Sequence, residues 1–115
     1  MNENNLVFNE KTCPVTATMQ VIGGKWKAIL INAIYQTSPA RFGELKRSVT
    51  GITQSMLTSQ LRELEDDGII NRKVYAEIPP KVEYTLTEFG LTLSPIILSM
   101  AEWGRKYKFN QAQKK

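Results

Sequence analysis

The first part of the chain alternates apolar positions at helical spacing with glycine and proline stops. Residues 14–22 are predicted to form a helix, because proline suits the first helical position and Cys13 then becomes the N-cap. Gly23-Gly24 ends this helix, and a second helix over residues 25–35 stops before Ser38-Pro39. The first helix places on one face Val15, Met19 and Ile22. The core stripe of the second helix is predicted to be Trp26, Ile29, Leu30, Ala33 and Ile34.

A short helix and a tight turn are predicted next. Residues 40–42 form a short extended link, and residues 43–48 form the short helix, which directs Leu45 and Val49 inward. Thr50-Gly51 then makes the turn, because glycine accepts the backbone angles that tight turns need.

A longer helix follows this turn. Thr53 is a suitable N-cap, the helix extends to about residue 67, and Gly68 stands at the C′ position. Ile52 and Leu57 have the spacing of a hydrophobic staple around the N-cap. The apolar residues of this helix are Met56, Leu57, Leu61 and Leu64.

Two segments of alternating polarity, residues 70–76 and 82–86, predict a β-hairpin with a proline-bearing loop at residues 77–81. Short helix, turn, longer helix and hairpin is the element order of a winged helix-turn-helix. The predicted fold class is therefore mainly α with a small β-hairpin wing. The predicted organisation is a flexible N-terminal segment (1–12), a winged helix-turn-helix domain with terminal helices for dimerisation (13–108) and a basic tail (109–115).

The last helix has more apolar residues than one core-facing stripe needs. It is predicted to begin after Thr87, to continue to about residue 107 and to kink at Pro95. We expect the surplus apolar residues to form a homodimer surface, which in helix-turn-helix proteins holds the second helices of the two motifs about 34 Å apart. The residues predicted at this interface are Ile97, Met100, Trp103 and Tyr107.

The longer helix carries the functional prediction. Its polar face has short side chains that let the backbone enter a DNA major groove, and glutamine, arginine, serine and threonine can bond to base edges or phosphates. Cations precede this helix and lie on the hairpin, where they are expected near phosphates or at a wing tip. The predicted DNA-binding residues are Lys46, Arg47, Thr53, Gln54, Ser55, Thr58, Ser59, Arg62, Arg72, Lys73 and Lys81.

Charge is distributed in a way that fits this prediction. The net charge is +4, and residues 41–62 carry four cations against one acid. Glu63, Glu65, Asp66 and Asp67 form an acidic block at the C-terminal end of the same helix. This end is expected to point away from phosphate, and the N-terminal end is expected to enter the groove first.

The residue types that the chain lacks exclude several classes of catalytic and metal-binding site. The chain has no histidine and one cysteine, Cys13, so histidine-dependent triads, zinc fingers and intrachain disulfides are excluded. We expect no enzyme, cofactor or metal. The first eleven residues show no secretory pattern, and the longest apolar stretch is too short and polar to span a bilayer, so a cytoplasmic location is expected.

Several motifs together resemble the HxlR-type family of bacterial winged-helix regulators, whose architecture is related to that of MarR-type proteins. The resemblance covers about residues 13–107. The segments that carry it are Cys13-Pro14-Val15-Thr16, Ile22-Gly23-Gly24-Lys25-Trp26, Arg41-Phe42-Gly43-Glu44-Leu45, Gly51-Ile52-Thr53-Gln54-Ser55-Met56-Leu57, Leu61 to Gly68, Tyr75 to Tyr84 and Glu102-Trp103-Gly104. It implies a dimeric DNA-binding repressor or activator, and we take a repressor on a pseudo-palindromic operator as the prediction.

The resemblance also implies that a cysteine matching Cys13 senses oxidants or electrophiles in several members. A thiol at a helix N-terminus lies at the positive end of the dipole, which favours thiolate. Oxidation would give a disulfide between subunits, a mixed disulfide with a small thiol, or an adduct. The alternative is a half-buried structural cysteine without a signalling role.

Two further alternatives stay open at this stage. A winged-helix module that binds proteins would need an apolar or acidic outer face on the longer helix. A regulator controlled by a small molecule would need a pocket at the dimer interface, lined by Trp26, Trp103 or Tyr107.

Overall fold

The helix-turn-helix and its wing are present in the computed structural model, which describes residues 8–114. Residues 1–7 and 115, which belong to the predicted N-terminal segment and basic tail, lie outside the described residues. The elements are α1 (Pro14–Ile22), α2 (Lys27–Thr37), β1 (Ala40–Arg41), α3 (Phe42–Ser48), α4 (Gln54–Asp66), β2 (Ile70–Tyr75), β3 (Lys81–Leu86), α5 (Glu88–Leu91) and α6 (Ser94–Gln113). The mainly helical fold class with a hairpin wing is confirmed: α3 and α4 form the helix-turn-helix, and β2 with β3 forms the wing.

The segment predicted as an extended link is a strand of the same sheet. The sheet is antiparallel with the order β1-β3-β2, and Ala40 and Arg41 pair with Tyr84 and Glu83. The pairing joins residues more than forty positions apart, so the local pattern of two residues cannot show it. Its effect is to fix the start of α3 to the base of the wing.

The buried stripe of α2 has a different phase from the prediction. Lys27, Leu30, Ile31 and Ile34 are buried, whereas Ile29 is 47% exposed. These four positions have the i, i+3, i+4, i+7 spacing of one helix face, but the first of them is a lysine. Its Nζ lies 2.7 Å from Oε1 of Glu63 on α4, so the charge is paired at the rim of the core.

The ends of α4 are formed as predicted. The N–H of Met56 donates to Oγ1 of Thr53 at 3.1 Å, and Ile52 and Leu57 are both buried. At the other end Gly68 has φ +76°. The N–H of Ile69 donates to the carbonyl of Leu64 at 2.9 Å, and that of Gly68 to the carbonyl of Glu65 at 3.0 Å, which is a Schellman motif.

Gly68→Ala is expected to lower the free energy of unfolding by about 1–2 kcal/mol, because a β-carbon disfavours the left-handed conformation. The site is open, since nothing lies within 4 Å of an added β-carbon, so the loss would come from backbone strain alone. Gly68→Asn is the matched control and should lose less, because asparagine tolerates this conformation. Urea unfolding followed by circular dichroism measures both. Equal losses for Ala and Asn would contradict this explanation.

The prediction of one kinked last helix is wrong. The segment divides into α5 and α6, with Thr92 and Leu93 between them. Pro95 has no N–H, and in a continuous helix its ring would clash with the carbonyl of Leu91. The helix therefore ends at Leu91 and restarts where proline occupies the first turn. α6 then continues to Gln113, beyond the predicted end at residue 107.

Candidate nucleic-acid interface

The outer face of α4 is polar and exposed along its whole length. Gln54, Ser55, Thr58, Ser59 and Arg62 are all exposed. The hydroxyl of Thr58 donates to the carbonyl of Gln54 at 2.9 Å, and that of Ser59 to the carbonyl of Met56 at 3.1 Å. These bonds hold the short side chains close to the helix and leave their oxygens free to accept. Side chains on this face therefore project little, so the backbone of α4 can approach base edges.

One apolar residue of α4 lies outside the buried face. Met56, grouped by sequence with the three leucines, is exposed. Thr53 caps the helix as predicted, and its hydroxyl also lies 3.4 Å from that of Ser55. Its contact with DNA stays a prediction.

The acidic block at the end of α4 is partly engaged inside the protein. Glu63 pairs with Lys27, and Oε1 of Glu65 lies 3.4 Å from Nε of Arg72 on β2. Two of the four acids therefore connect α4 to α2 and to the wing. Sequence reasoning treated the block only as a region that avoids phosphate, and it missed both connections.

The two cations of α3 stand just before the turn. Lys46 and Arg47 lie in the last turn of α3 and are exposed. At the other end of this helix the carboxylate of Glu44 accepts from the N–H of Arg41 at 2.8 Å. Glu44 thus stabilises the helix start, and the cations are at the end that leads into α4.

The pleat of the wing separates its predicted cations onto two faces. Arg72 is paired with Tyr84 and lies on the inner face, whereas Lys73 lies opposite Glu83 on the outer face. Lys81 is on the outer face too, because it pairs with Tyr75.

On the outer face, both lysines form cation–π contacts with Tyr75. The Nζ atoms of Lys73 and Lys81 lie 4.9 Å and 4.3 Å from the centre of its ring. The hydroxyl of Tyr75 donates to Oε1 of Glu83 at 2.9 Å, and Nζ of Lys81 lies 3.8 Å from the other carboxylate oxygen. The two ammonium groups are therefore held together by one aromatic ring.

Arg72, Lys73 and Lys81 lie on the wing as predicted, but on its strands rather than at its tip. The tip consists of residues 76–80, and its outermost large side chain is the fully exposed Ile78. Arg72 is near the base of the hairpin, and Lys81 is the first residue of β3 rather than part of the loop. The loop keeps the predicted length of five residues but is shifted by one position, because Tyr75 and Lys81 pair.

A cleft of about 260 Å³ separates α4 from the inner face of the wing. Burial raises the pKa of the Tyr84 hydroxyl above its ordinary value, and the Arg72 guanidinium opposes that rise. The cleft is lined by Thr58, Leu61, Arg62, Glu65, Arg72 and Tyr84.

An apolar surface lies away from the wing, on the terminal helices. Trp103 is 67% exposed and stacks on Tyr107 with ring centres 5.6 Å apart and planes at 10°. Met100 is exposed as well, but Ile97, predicted at the interface with these residues, is buried in the core of its own chain. Further exposed apolar residues on α1, α5 and α6 are Val15, Met19, Phe89, Leu91, Ile96 and Leu98.

Cys13 is half-buried at the N-cap of α1. Ala17 and Val21 follow it at helical spacing, and these two residues line an apolar groove of about 230 Å³ against Phe89 and Leu93. Cys13 therefore precedes, at helical spacing, two residues that border this groove.

The three aromatic residues of the alternative ligand pocket lie in different surroundings. Trp26 packs against the core beside the helix-turn-helix turn, with its ring 3.9 Å from an added β-carbon at Gly51. Trp103 and Tyr107 stack on each other on α6.

In the described part of the chain, residues 8–114, side chains of histidine, cysteine, aspartate and glutamate form no group able to hold a metal ion. Over the same residues, no helix is long and apolar enough to cross a membrane.

Comparison with known proteins identifies a matching family model and similar proteins. Residues 21–112 match the family model described as HxlR-like helix-turn-helix. The HTH-type transcriptional regulator YdeP of Bacillus subtilis (strain 168) is 57% identical over 96 residues, which are 84% of this chain and 74% of YdeP.

Two solved structures are similar in both sequence and fold. The redox regulator HypR in its oxidised form is 58% identical, with a TM-score of 0.77 over 82% of this chain and 96% of that one. HypR in its reduced form is 53% identical, with a TM-score of 0.82 over 88% and 99%.

Proposed function

Because the chain belongs to the HxlR-like helix-turn-helix family of transcriptional regulators, we propose that it represses transcription as a homodimer bound to a pseudo-palindromic operator. The observation that carries the proposal is the outer face of α4. That face is polar, low and exposed from Gln54 to Arg62, and its acids lie at the C-terminal end. A module that binds proteins through this helix would need an apolar or acidic face instead.

In this proposal each element has a separate task on DNA. Gln54 and Arg62 read base edges in the major groove, since their side chains can bond bidentately to adenine and guanine. Ser55, Thr58 and Ser59 contact bases or phosphates nearby. Lys46 and Arg47, at the end of α3, and the Lys73–Lys81 pair on the wing contact phosphates and set the orientation of the protein.

The exposed apolar surface supports the dimer. A monomer displays Trp103, Tyr107 and Met100 of α6 to water, as well as apolar residues of α1, and exposed apolar patches mark interaction sites. A twofold-symmetric pair of α4 helices then matches a pseudo-palindromic site.

Cys13 is proposed as the sensor that changes operator affinity. HypR, at 53–58% identity, is named a redox regulator, and Cys13 is the N-cap of α1, one of the helices that carry exposed apolar residues. With one cysteine per chain, diamide can oxidise two thiols from different subunits, or one thiol and a small thiol. Either reaction releases two protons and two electrons, which reduce diamide to its hydrazine and leave a disulfide.

The first experiment selects the tightest-binding duplex from a pool of random 30-bp DNA and measures its affinity by fluorescence anisotropy at two salt concentrations. Selective, salt-dependent binding is expected. Enrichment of no sequence would overturn the proposal of an operator.

Treatment with diamide is expected to change the affinity for the selected duplex by about tenfold, a coupling of ordinary allosteric size. Thiol reagents should restore the starting affinity. Cys13→Ser is the control, since it keeps the size of the side chain and cannot be oxidised. If the wild type and Cys13→Ser respond equally to diamide, or neither responds, Cys13 is not the sensor.

A further inference from the structure

The cleft between α4 and the wing has hydrogen-bond donors on both sides. Arg62 and Thr58 come from the outer face of α4, and Arg72 comes from the inner face of β2. The buried Tyr84, together with Leu61 and Glu65, completes the lining. The volume of about 260 Å³ accommodates a phosphodiester group together with water, because one water occupies roughly 30 Å³.

The position of the cleft on DNA follows from the geometry of the duplex. A major groove and its neighbouring minor groove are separated by one sugar–phosphate strand. If α4 lies in the major groove and the wing reaches the adjacent minor groove, this strand has to pass between them. The cleft is the space that the fold leaves there.

We propose that this cleft binds one backbone phosphate of each operator half-site through Arg72, and that Glu65 is the residue that positions Arg72. The inference rests on the proposed function and adds a defined ligand group and a positioning residue to it. It also gives Arg72 a role different from that of Lys73, although the two are neighbours in sequence.

The ion pair with Glu65 leaves most of the Arg72 guanidinium available. Nε of Arg72 faces Oε1 of Glu65 at 3.4 Å. The four hydrogens on the two terminal nitrogens remain for a phosphate, which arginine binds with its planar fork. Both side chains are close to half-exposed, so the pair costs little to keep and acts by orientation rather than by stability.

The experiment uses the duplex selected above and replaces its phosphates one at a time by neutral methylphosphonates. One position per half-site, between the segments covered by α4 and by the wing, is expected to weaken wild-type binding. The same replacement should have no effect on Arg72→Gln, because that variant has already lost the contact. Absence of any position where the two losses coincide would overturn the inference.

Salt dependence gives a second measurement. Arg72→Gln removes one contact from each of the two half-sites, so it should reduce the slope of log affinity against log salt by about 2, and it should weaken all single-base variants of the duplex equally. Lys106→Gln is the matched control: it removes one positive charge and an ion pair of 3.8 Å with Glu102 on α6. Thermal unfolding of both variants shows whether they fold. If Arg72→Gln changes the slope no more than Lys106→Gln does, the assignment of Arg72 is wrong.

The role of Glu65 is tested with a double-mutant cycle. Glu65→Gln and Asp66→Asn each remove one negative charge from neighbouring positions of α4, but only Glu65 contacts Arg72 among the described ion pairs of residues 8–114. Glu65→Gln is expected to bind about two- to fivefold more weakly than Asp66→Asn, the size of an exposed ion-pair coupling. In the Arg72→Gln background the two variants should bind equally. Equal binding in the wild-type background would remove Glu65 from the site.

These outcomes separate the inference from the proposed function. If no duplex is selected, the proposed function fails before the cleft is tested. If a duplex is selected but the methylphosphonate and Arg72→Gln experiments show no effect, the proposal of a DNA-binding regulator is retained, and the proposal of a phosphate site in the cleft is rejected.

Discussion

Ser59→Glu is expected to abolish selective DNA binding, lowering the affinity for the selected duplex by about 100-fold or more. Ser59 is exposed in the middle of the proposed reading face, so a carboxylate there would lie among base edges and phosphates. Like charges brought together at an interface cost several kcal/mol, and each 1.4 kcal/mol is tenfold in affinity. Anisotropy with the selected duplex and with a shuffled one measures the loss.

The control for this prediction is Gln36→Glu. It makes the same change of charge on an exposed helical residue at the C-terminal end of α2, whereas α2 contacts α4 through Lys27 at the opposite end. Screening in physiological salt should keep its effect small. Folding should survive in both variants, since exposed substitutions usually change stability within about 0.5 kcal/mol. Retention of selective binding by a folded Ser59→Glu would place the DNA interface elsewhere.

Local chemistry explains why α4 was predictable from sequence. The N-cap, the staple and the Schellman glycine act within a few residues of each end, so their residue types define the helix directly. Thr53, Ile52 with Leu57, and Gly68 are all found in these roles. The outer face then follows, because fixing the buried leucines fixes which side chains point to solvent.

Which residues of α2 form its buried face was not predictable from the spacing of apolar residues, because the first residue of that face is Lys27. Hydrophobic periodicity counts a lysine as a solvent residue. Here Glu63, 36 positions later on α4, pairs with the ammonium group and lets the aliphatic part be buried. The partner is brought near only by tertiary structure, so residue pattern alone selected Ile29 in place of Ile31.

The positions of the wing cations relative to α4 depend on the strand register, which the sequence did not provide. The sequence predicted the hairpin and named Arg72, Lys73 and Lys81, but it gave no means to place them relative to α4. Pairing of Tyr75 with Lys81 shifts the loop by one position and sets the register of both strands. From that register Arg72 faces the cleft and the two lysines face outward. The cleft, and Glu65 in it, could be found only from the structure.

Trp103→Glu is expected to dissociate the proposed homodimer, weakening self-association by about 30-fold or more. A loss of about 2 kcal/mol is typical of one central aromatic residue at an interface, and burial of an unpaired carboxylate would add to it. Trp103 is largely exposed within one chain, so the monomer fold should not depend on it. Sedimentation equilibrium measures the association, and far-ultraviolet circular dichroism reports the fold.

The effect of Trp103→Glu on DNA binding shows whether the dimer is needed for function. A monomeric Trp103→Glu would contact one half-site, so its salt slope on the selected duplex should fall to about half that of the wild type, because the number of neutralised phosphates is halved. Ile78→Glu is the control for self-association: it places the same charge on a fully exposed apolar residue, but at the wing tip. Dimerisation should then be unchanged, since the tip is the loop between β2 and β3 and no part of the terminal helices. A Trp103→Glu protein that stays dimeric would move the interface away from α6, and a monomer with the full salt slope would mean that one chain alone makes all the phosphate contacts.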